Sequence, residues 1–390
     1  VSDKIAMVTT AAPTLTPDQI ARLRLQSLGL TGAGVLGTTA GPLDVVQHHL
    51  AMQAQDWPAS RWAIGSRLAA AGAPSDEATV AAAYNAGEIV RAWPMRGTVH
   101  AIAAPDLRWL NELAGRRALS SLARRWEFLG IDETFLERAR DAICALLTDG
   151  EPRTRDQIAA ELSSKGIELE GGVRYHTIWY LTQTGSLVLG PVDEATGDHA
   201  VVLQDDHLPK HVAVAETDRE RELVERYLTS HGPAQLEDIV WWTGMTKTAI
   251  RRGIAALEDD VVAFDSNGRE MLVLASRFEA LDPDCAVSAA ATIALPGFDE
   301  HLLGYKDRSD VLDDKHAALV DPGRNGVFRA TIVTNGRVIA TWKRKPMTNH
   351  TRVIVSPFKP LSAARRKNVE QALLPWGGFV ERELDVRFEG

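Results

Sequence analysis

Cysteine is close to absent from this chain. Its two thiols, Cys144 and Cys285, lie far apart in 390 residues and show none of the short Cys or His spacings of a zinc site. A disulfide framework and a bound metal are therefore not expected. Long apolar runs are missing as well: nothing approaches the roughly 18 to 20 apolar residues of a membrane span. Val1–Thr10 lacks the basic start and apolar stretch of a secretory leader, so no membrane partner and a cytoplasmic location are expected. A Gly-rich phosphate loop, a nucleophilic serine motif and a nicotinamide fingerprint are also absent, which leaves no cofactor to expect.

Net positive charge is lacking too. The formal charge of -9 counts on its face against a nucleic-acid partner, because phosphate binding needs a positive surface. Distribution matters more than the sum. From Gly326 to Lys367 there is no Asp or Glu, while Arg329, Arg337, Lys343, Arg344, Lys345, Arg352, Lys359, Arg365, Arg366 and Lys367 supply ten positive charges. A second basic set, Arg96, Arg108, Arg116, Arg117, Arg124 and Arg125, faces only Asp106 and Glu112 over the same interval. The plainer reading of both is solvated surface laced with salt bridges.

What the chain does contain is an ordinary globular composition, 45% hydrophobic and 24% charged, long enough for two to four domains. One supersecondary unit recurs. TRDQIAAELSSKG (154–166) and VRYHTIWYLTQTG (173–185) read as helices, followed by the strands SLVLG (186–190) and HAVVLQ (199–204) around a turn containing Gly197. AQLEDIVWWTG (234–244) and TKTAIRRGIAALE (246–258) precede two strands joined at Asn267-Gly268, a strong hairpin signal. Helix, turn, helix, hairpin is a winged helix-turn-helix. The N-terminal third fits less cleanly, with helices near 43–52, 58–71 and 76–85 and strands around Arg96-Gly97. The expectation is an α+β chain with winged helix-turn-helix domains over 14–104, 105–210 and 211–278. A small β-rich domain over 279–390 carries the basic hairpin around Asn335-Gly336 and a helix over Leu361–Leu374. Tandem winged units suit a nucleic-acid scaffold, although winged helices also serve as protein-protein modules.

Inside the first unit, QAQDWP (53–58) places two carboxamides one residue apart. On a continuous helix Gln53 and Gln55 would point to nearly opposite sides; in extended backbone they share a face. Pro58 disfavours helical geometry at Trp57 and suits the first turn of a new helix, so 53–57 reads as non-helical. The competing reading has the glutamines cap the adjoining helices. His48 and His49 adjoin the motif and titrate near neutral pH in their ordinary state, but adjacent helical histidines face different ways and make no metal pair.

QAQDWP, MRGTVHAIAAPDLRWL (95–110) and LPGFDEHLLGYKDRS (295–309), in this order, resemble the AlkZ-type winged-helix DNA glycosylases over nearly the whole chain. The resemblance implies three tandem winged helices in a C shape, a small β-rich C-terminal domain and a concave DNA-facing surface. It implies a catalytic Gln-x-Gln or Gln-x-Asp motif, which Gln53 and Gln55 match in the first form; that form favours cross-link repair over general alkylpurine repair. Whether Asp56 takes part is left open.

The expected function is a monofunctional DNA glycosylase, acting as a monomer on double-stranded DNA. Its substrates would be cationic alkylated purines of the N7-alkylguanine type, with unhooking of interstrand cross-links in repair or self-resistance. Gln53 and Gln55 are the expected catalytic residues, with Arg96, Thr98 and His100 of the first wing as site lining. Lys247, Arg251, Arg252, Lys343, Arg344 and Lys345 are the expected DNA contacts. Asp299, Lys306, Asp307 and Arg308 form a charged cluster that either catalyses or locks the C-terminal domain in place. A non-enzymatic winged-helix regulator or architectural protein is the alternative.

Overall fold

The computed structural model describes residues 14–32, 35–115, 119, 122–193, 198–210, 214–280 and 292–389. Arg116, Arg117, Gly197 and Cys285 fall outside them. The chain divides into two compact units, Val1–Val80 with Glu220–Gly390, and Ala81–Arg219. The first opens with α1 (Pro17–Ser27), α2 (Pro42–His49), β1 (Ala51–Gln53) and α3 (Trp57–Ala71), and α4 (Glu77–Asn85) leads out of it.

The second unit contains β2 (Ile89–Met95), β3 (Thr98–Ala103), α5 (Leu107–Leu110), α6 (Ala123–Leu129), α7 (Glu133–Leu147), α8 (Arg155–Ser163), α9 (Gly171–Gln183), β4 (Leu187–Val192), β5 (His199–Leu203) and α10 (Gln204–His207). The first unit resumes with α11 (Arg219–His231), α12 (Leu236–Thr243), α13 (Lys247–Ala255), β6 (Val261–Ser266), β7 (Arg269–Leu274) and α14 (Ala275–Ala280). It ends with β8 (Thr292–Leu295), α15 (Glu300–Leu303), α16 (Asp314–Val320), β9 (Ala330–Thr334), β10 (Arg337–Pro346), β11 (Thr351–Pro357), α17 (Ala363–Phe379) and β12 (Leu384–Phe388).

An order of helix, short extended segment, helix, helix and two strands runs through the chain three times, beginning at α2, α7 and α11. In the last two the extended segment is a single bridge, Arg153 to Val201 and Ala234 to Leu272. Three hairpins turn on a pair of residues with positive φ, Arg96-Gly97, Asn267-Gly268 and Asn335-Gly336. Such turns match the twist of the flanking strands, and glycine in second place adopts the left-handed region without a Cβ penalty.

In the second unit β3, β2, β4 and β5 run antiparallel in that order. In the first, β6 and β7 form a two-stranded ladder, and a five-stranded sheet has the order β12-β11-β10-β9-β8. Its pairs are antiparallel except β11 with β12. Parallel neighbours need a crossover, which α17 supplies.

Three local expectations need correction. Residues 51–53 are strand rather than the end of a helix, because Leu50 turns left-handed (φ 63°) and breaks the run after His49. Trp57 is already helical, one residue earlier than the proline rule predicts, since the Asp56 side chain caps α3 by accepting from the Ala59 N–H at 2.9 Å. The C-terminal helix runs to Phe379, past Pro375. An internal proline costs about 3 kcal/mol, and the burial of Trp376 against Trp342 and of Phe379 against Trp62 offsets it. Phe379 reaches α3 because Gly65 lies beneath its ring, where any Cβ would collide with it.

The 295–309 segment is held by ion pairs in the core of the first unit. Arg67 on α3 grips Asp299 with two bonds of 2.5 and 3.0 Å. Asp238 accepts from the backbone N–H groups of Lys306 and Asp307, and Arg269 pairs with Asp307 and Asp310. Arg24, fully buried, lies between Asp238 and Asp310 with its guanidinium 3.9 Å from the Tyr305 ring centre. Arg308 stacks over Trp241 and Phe328. Asp299, Asp307 and Arg308 of the charged cluster thus each have a partner elsewhere in this unit.

Candidate active site

Gln53 closes β1 and is 7% exposed. Its Nε2–H points to Gln55 Oε1 at a long 3.5 Å, so the two glutamines share a face. Gln53 Oε1 is buried and has no hydrogen-bond partner among the described residues. Leaving a buried acceptor unpaired costs about 1–3 kcal/mol. Gln55 and Asp56 are exposed. Because Asp56 caps α3, the glutamines are released from that task.

The Gln53 backbone is fixed from far along the chain. Its N–H donates to Glu300 Oε1 at 2.8 Å, while Glu300 Oε2 accepts from Trp242 Nε1 at 3.0 Å and lies 3.3 Å from His231 Nε2. The sequence pattern did not single out Glu300; its one signal is an acid beside Asp299 at the head of an apolar stretch, and both acids are buried.

The histidines beside the motif are poor bases at neutral pH. Burial, partly opposed by a hydrogen bond to the Ser27 carbonyl, pushes His48 down to about 4. Burial and the nearby Arg67 charge hold His49 well below its ordinary value. His49 Nδ1 is 3.0 Å from the Val45 carbonyl.

A cavity of about 320 Å³ opens at the start of α3, with Asp56, Trp62, Phe298, Trp342, Lys343 and Arg344 among its lining; neither Gln53 nor Gln55 is part of that lining. Lys343 and Arg344 thus share a cavity with Asp56, Pro58 and Ala59 at the first turn of α3. Lys345 is exposed further along the same strand. Lys343 also pairs with Glu389 at 3.4 Å. On α13, Lys247 and Arg252 pair with Glu237 and Glu220, both at 2.5 Å, and Arg251 is exposed. Any phosphate must compete with those carboxylates.

Arg96, Thr98 and His100 lie together on the β2–β3 hairpin of the second unit. Arg96 forms the turn, Thr98 opens β3, and the His100 ring, 1% exposed, sits with Nδ1 2.8 Å from the Thr98 carbonyl. Among the described residues no group of His, Cys, Asp and Glu could hold a metal, and no helix is long and apolar enough to cross a membrane.

The family described as DNA glycosylase AlkZ-like matches residues 46–379. An interstrand DNA cross-link repair glycosylase from Streptomyces sahachiroi is 24% identical over 345 residues, which cover 84% of this chain and 88% of that protein. The solved structure of Streptomyces sahachiroi DNA glycosylase AlkZ is similar with a TM-score of 0.75 at 22% identity, over 97% of this chain and 100% of the other. That likeness establishes the mixed α and β fold, and the family match does not favour the non-enzymatic regulator. On the extent of that match, the chain belongs to the AlkZ-like DNA glycosylase family.

Proposed function

We propose that this enzyme hydrolyses the N-glycosidic bond of cationic alkylated purines of the N7-alkylguanine type, and that its biological substrates include interstrand cross-links. The observation that carries this reading is the buried, unpartnered Gln53 Oε1 with the Gln55 carboxamide on the same face. Cleavage passes through an oxocarbenium-like sugar, for which an ordinary neutral base is a poor leaving group. Alkylation at N7 gives the base a positive charge, so the C1′–N9 electron pair departs with it and no general acid is required. Water adds at C1′, and its spare proton is released to solvent.

The glutamines hold and aim that water. Gln53 Oε1 accepts one of its hydrogens, and Gln55 contributes from the solvent side. Supporting the assignment, Asp56 is occupied as a cap and burial makes the neighbouring His48 and His49 weak bases.

On the DNA side, the helix, helix, helix, hairpin order repeated three times supports tandem winged helix-turn-helix domains over 14–104, 105–210 and 211–278, followed by the β-rich domain over 279–390. Lys343, Arg344 and Lys345, with Lys247, Arg251 and Arg252, hold phosphates. The enzyme acts as a monomer, since three recognition helices in one chain remove the need for a paired subunit. Duplex DNA carrying N7-methylguanine is the test: release of free 7-methylguanine and formation of abasic sites is expected. DNA that is bound and protected without base release contradicts the proposal.

A further inference from the structure

Glu300 is 2% exposed, and its carboxylate meets groups from separate parts of the chain, among them the Gln53 N–H, the Trp242 indole N–H and the His231 ring. We propose that Glu300 is a positioning residue for base release, setting where the Gln53 carboxamide stands by fixing Gln53's own peptide N–H. The inference rests on the glutamine reading above.

Three observations carry it. β1 is only three residues long, between the left-handed Leu50 and the cap at Asp56. Among the described residues the one hydrogen bond of the Gln53 side chain is the long 3.5 Å contact with Gln55, so hydrogen bonding leaves its placement largely to the backbone. The bond from the Gln53 N–H to Glu300 is buried, 2.8 Å long and charge-assisted, the strong class of hydrogen bond.

Glu300 is itself rigidly placed. It opens α15, whose N-cap Asp299 accepts from the His301 N–H at 2.9 Å and is gripped by Arg67. Arg67 belongs to α3, the helix that starts just after the motif. The acidic pair therefore brackets Gln-x-Gln: Glu300 holds its first residue, and Asp299 holds the helix that follows it. A carboxylate is needed because each oxygen serves as an acceptor; a carboxamide would turn an NH2 group toward one of the donors.

The test is a double-variant cycle on single-turnover release of 7-methylguanine. Glu300→Gln is expected to slow the step by about 10 to 100-fold, the scale for groups that orient a reacting ligand, while duplex affinity stays within about twofold. In the Gln53→Ala background the same change should cost nothing further, because the group it positions is gone. A merely structural role would lower both backgrounds equally, and multiplicative losses, or an unchanged rate in Glu300→Gln, would overturn the inference. Should Glu300→Gln fail to fold, Trp242→Phe removes another bond to the same carboxylate and enters the same cycle with the same two outcomes. Gln53→Ala at full rate would remove the glutamine reading itself, and this inference with it; a slow Gln53→Ala with multiplicative losses removes the inference alone.

Discussion

Around residues 53–56 the Asp56 side chain starts the helix, so neither Gln53 nor Gln55 is needed as its cap. Replacing Asp56 with Ala should cost about 1 kcal/mol of stability, the usual loss for a helix cap, seen as a lower urea midpoint. The rate of base release should stay within a few-fold, and a loss as large as that of a glutamine variant would bring Asp56 into the reaction. The histidines make a second prediction. With His48 at about 4 and His49 held low by burial, both are neutral in the fold above about pH 6 and protonate more readily when unfolded. Stability should fall as pH drops from 6.5 towards 4, which thermal melts at several pH values would register. The rate should remain nearly flat from about pH 6 to 9, without the bell of a paired acid and base. An inflection near 6.5 that vanished on changing His48, His49 or His100 would name a histidine as the base. The sequence made the glutamines legible and left open which side chain capped. Glu300 was not legible, because its bond with Gln53 spans 247 residues and no local pattern encodes it.

Elements read well where local chemistry decides them. Arg96-Gly97, Asn267-Gly268 and Asn335-Gly336 all turn hairpins, since the demand for positive φ is written in the residue pair. They read poorly where packing overrides propensity. α17 passes through Pro375 because Trp376 and Phe379 must be buried, and β1 replaces the last turn of a helix because Leu50 bends away. The basic strand β10 supports a prediction at this scale. Changing Lys343, Arg344 and Lys345 to Ala should weaken binding to all duplexes alike and lower the log-log salt slope by about 0.9 for each phosphate left unneutralised. Lys343 should contribute least, as it already has Glu389 for a partner. A slope identical to that of the unchanged protein would take this strand out of the DNA interface.

For the molecule as a whole, composition pointed to a mixed chain of several domains and charge segregation to DNA. What composition could not convey is that the first unit is assembled from both ends of the chain. Its ties are buried charges, Arg24 with Asp238 and Asp310, and Arg67 with Asp299, residue types that a sequence reading assigns to the surface. Breaking a buried pair by removing one partner costs about 3–5 kcal/mol. The Arg67–Asp299 pair ties α3, the helix that follows the motif, to the segment that carries Glu300.

The central claim is that two carboxamides aim the water at a leaving group that carries its own charge. Single-turnover release of 7-methylguanine, measured at saturating protein for Gln53→Ala, Gln55→Ala and the double variant, tests it most directly. Each single change should slow release by about 10² to 10³, the scale for losing one positioned hydrogen-bonding group. Duplex affinity should hardly move, and uracil, a neutral lesion, should not be released by any form. Full activity in the double variant, with the protein folded and bound to DNA, would contradict the account and leave the motif without a catalytic role.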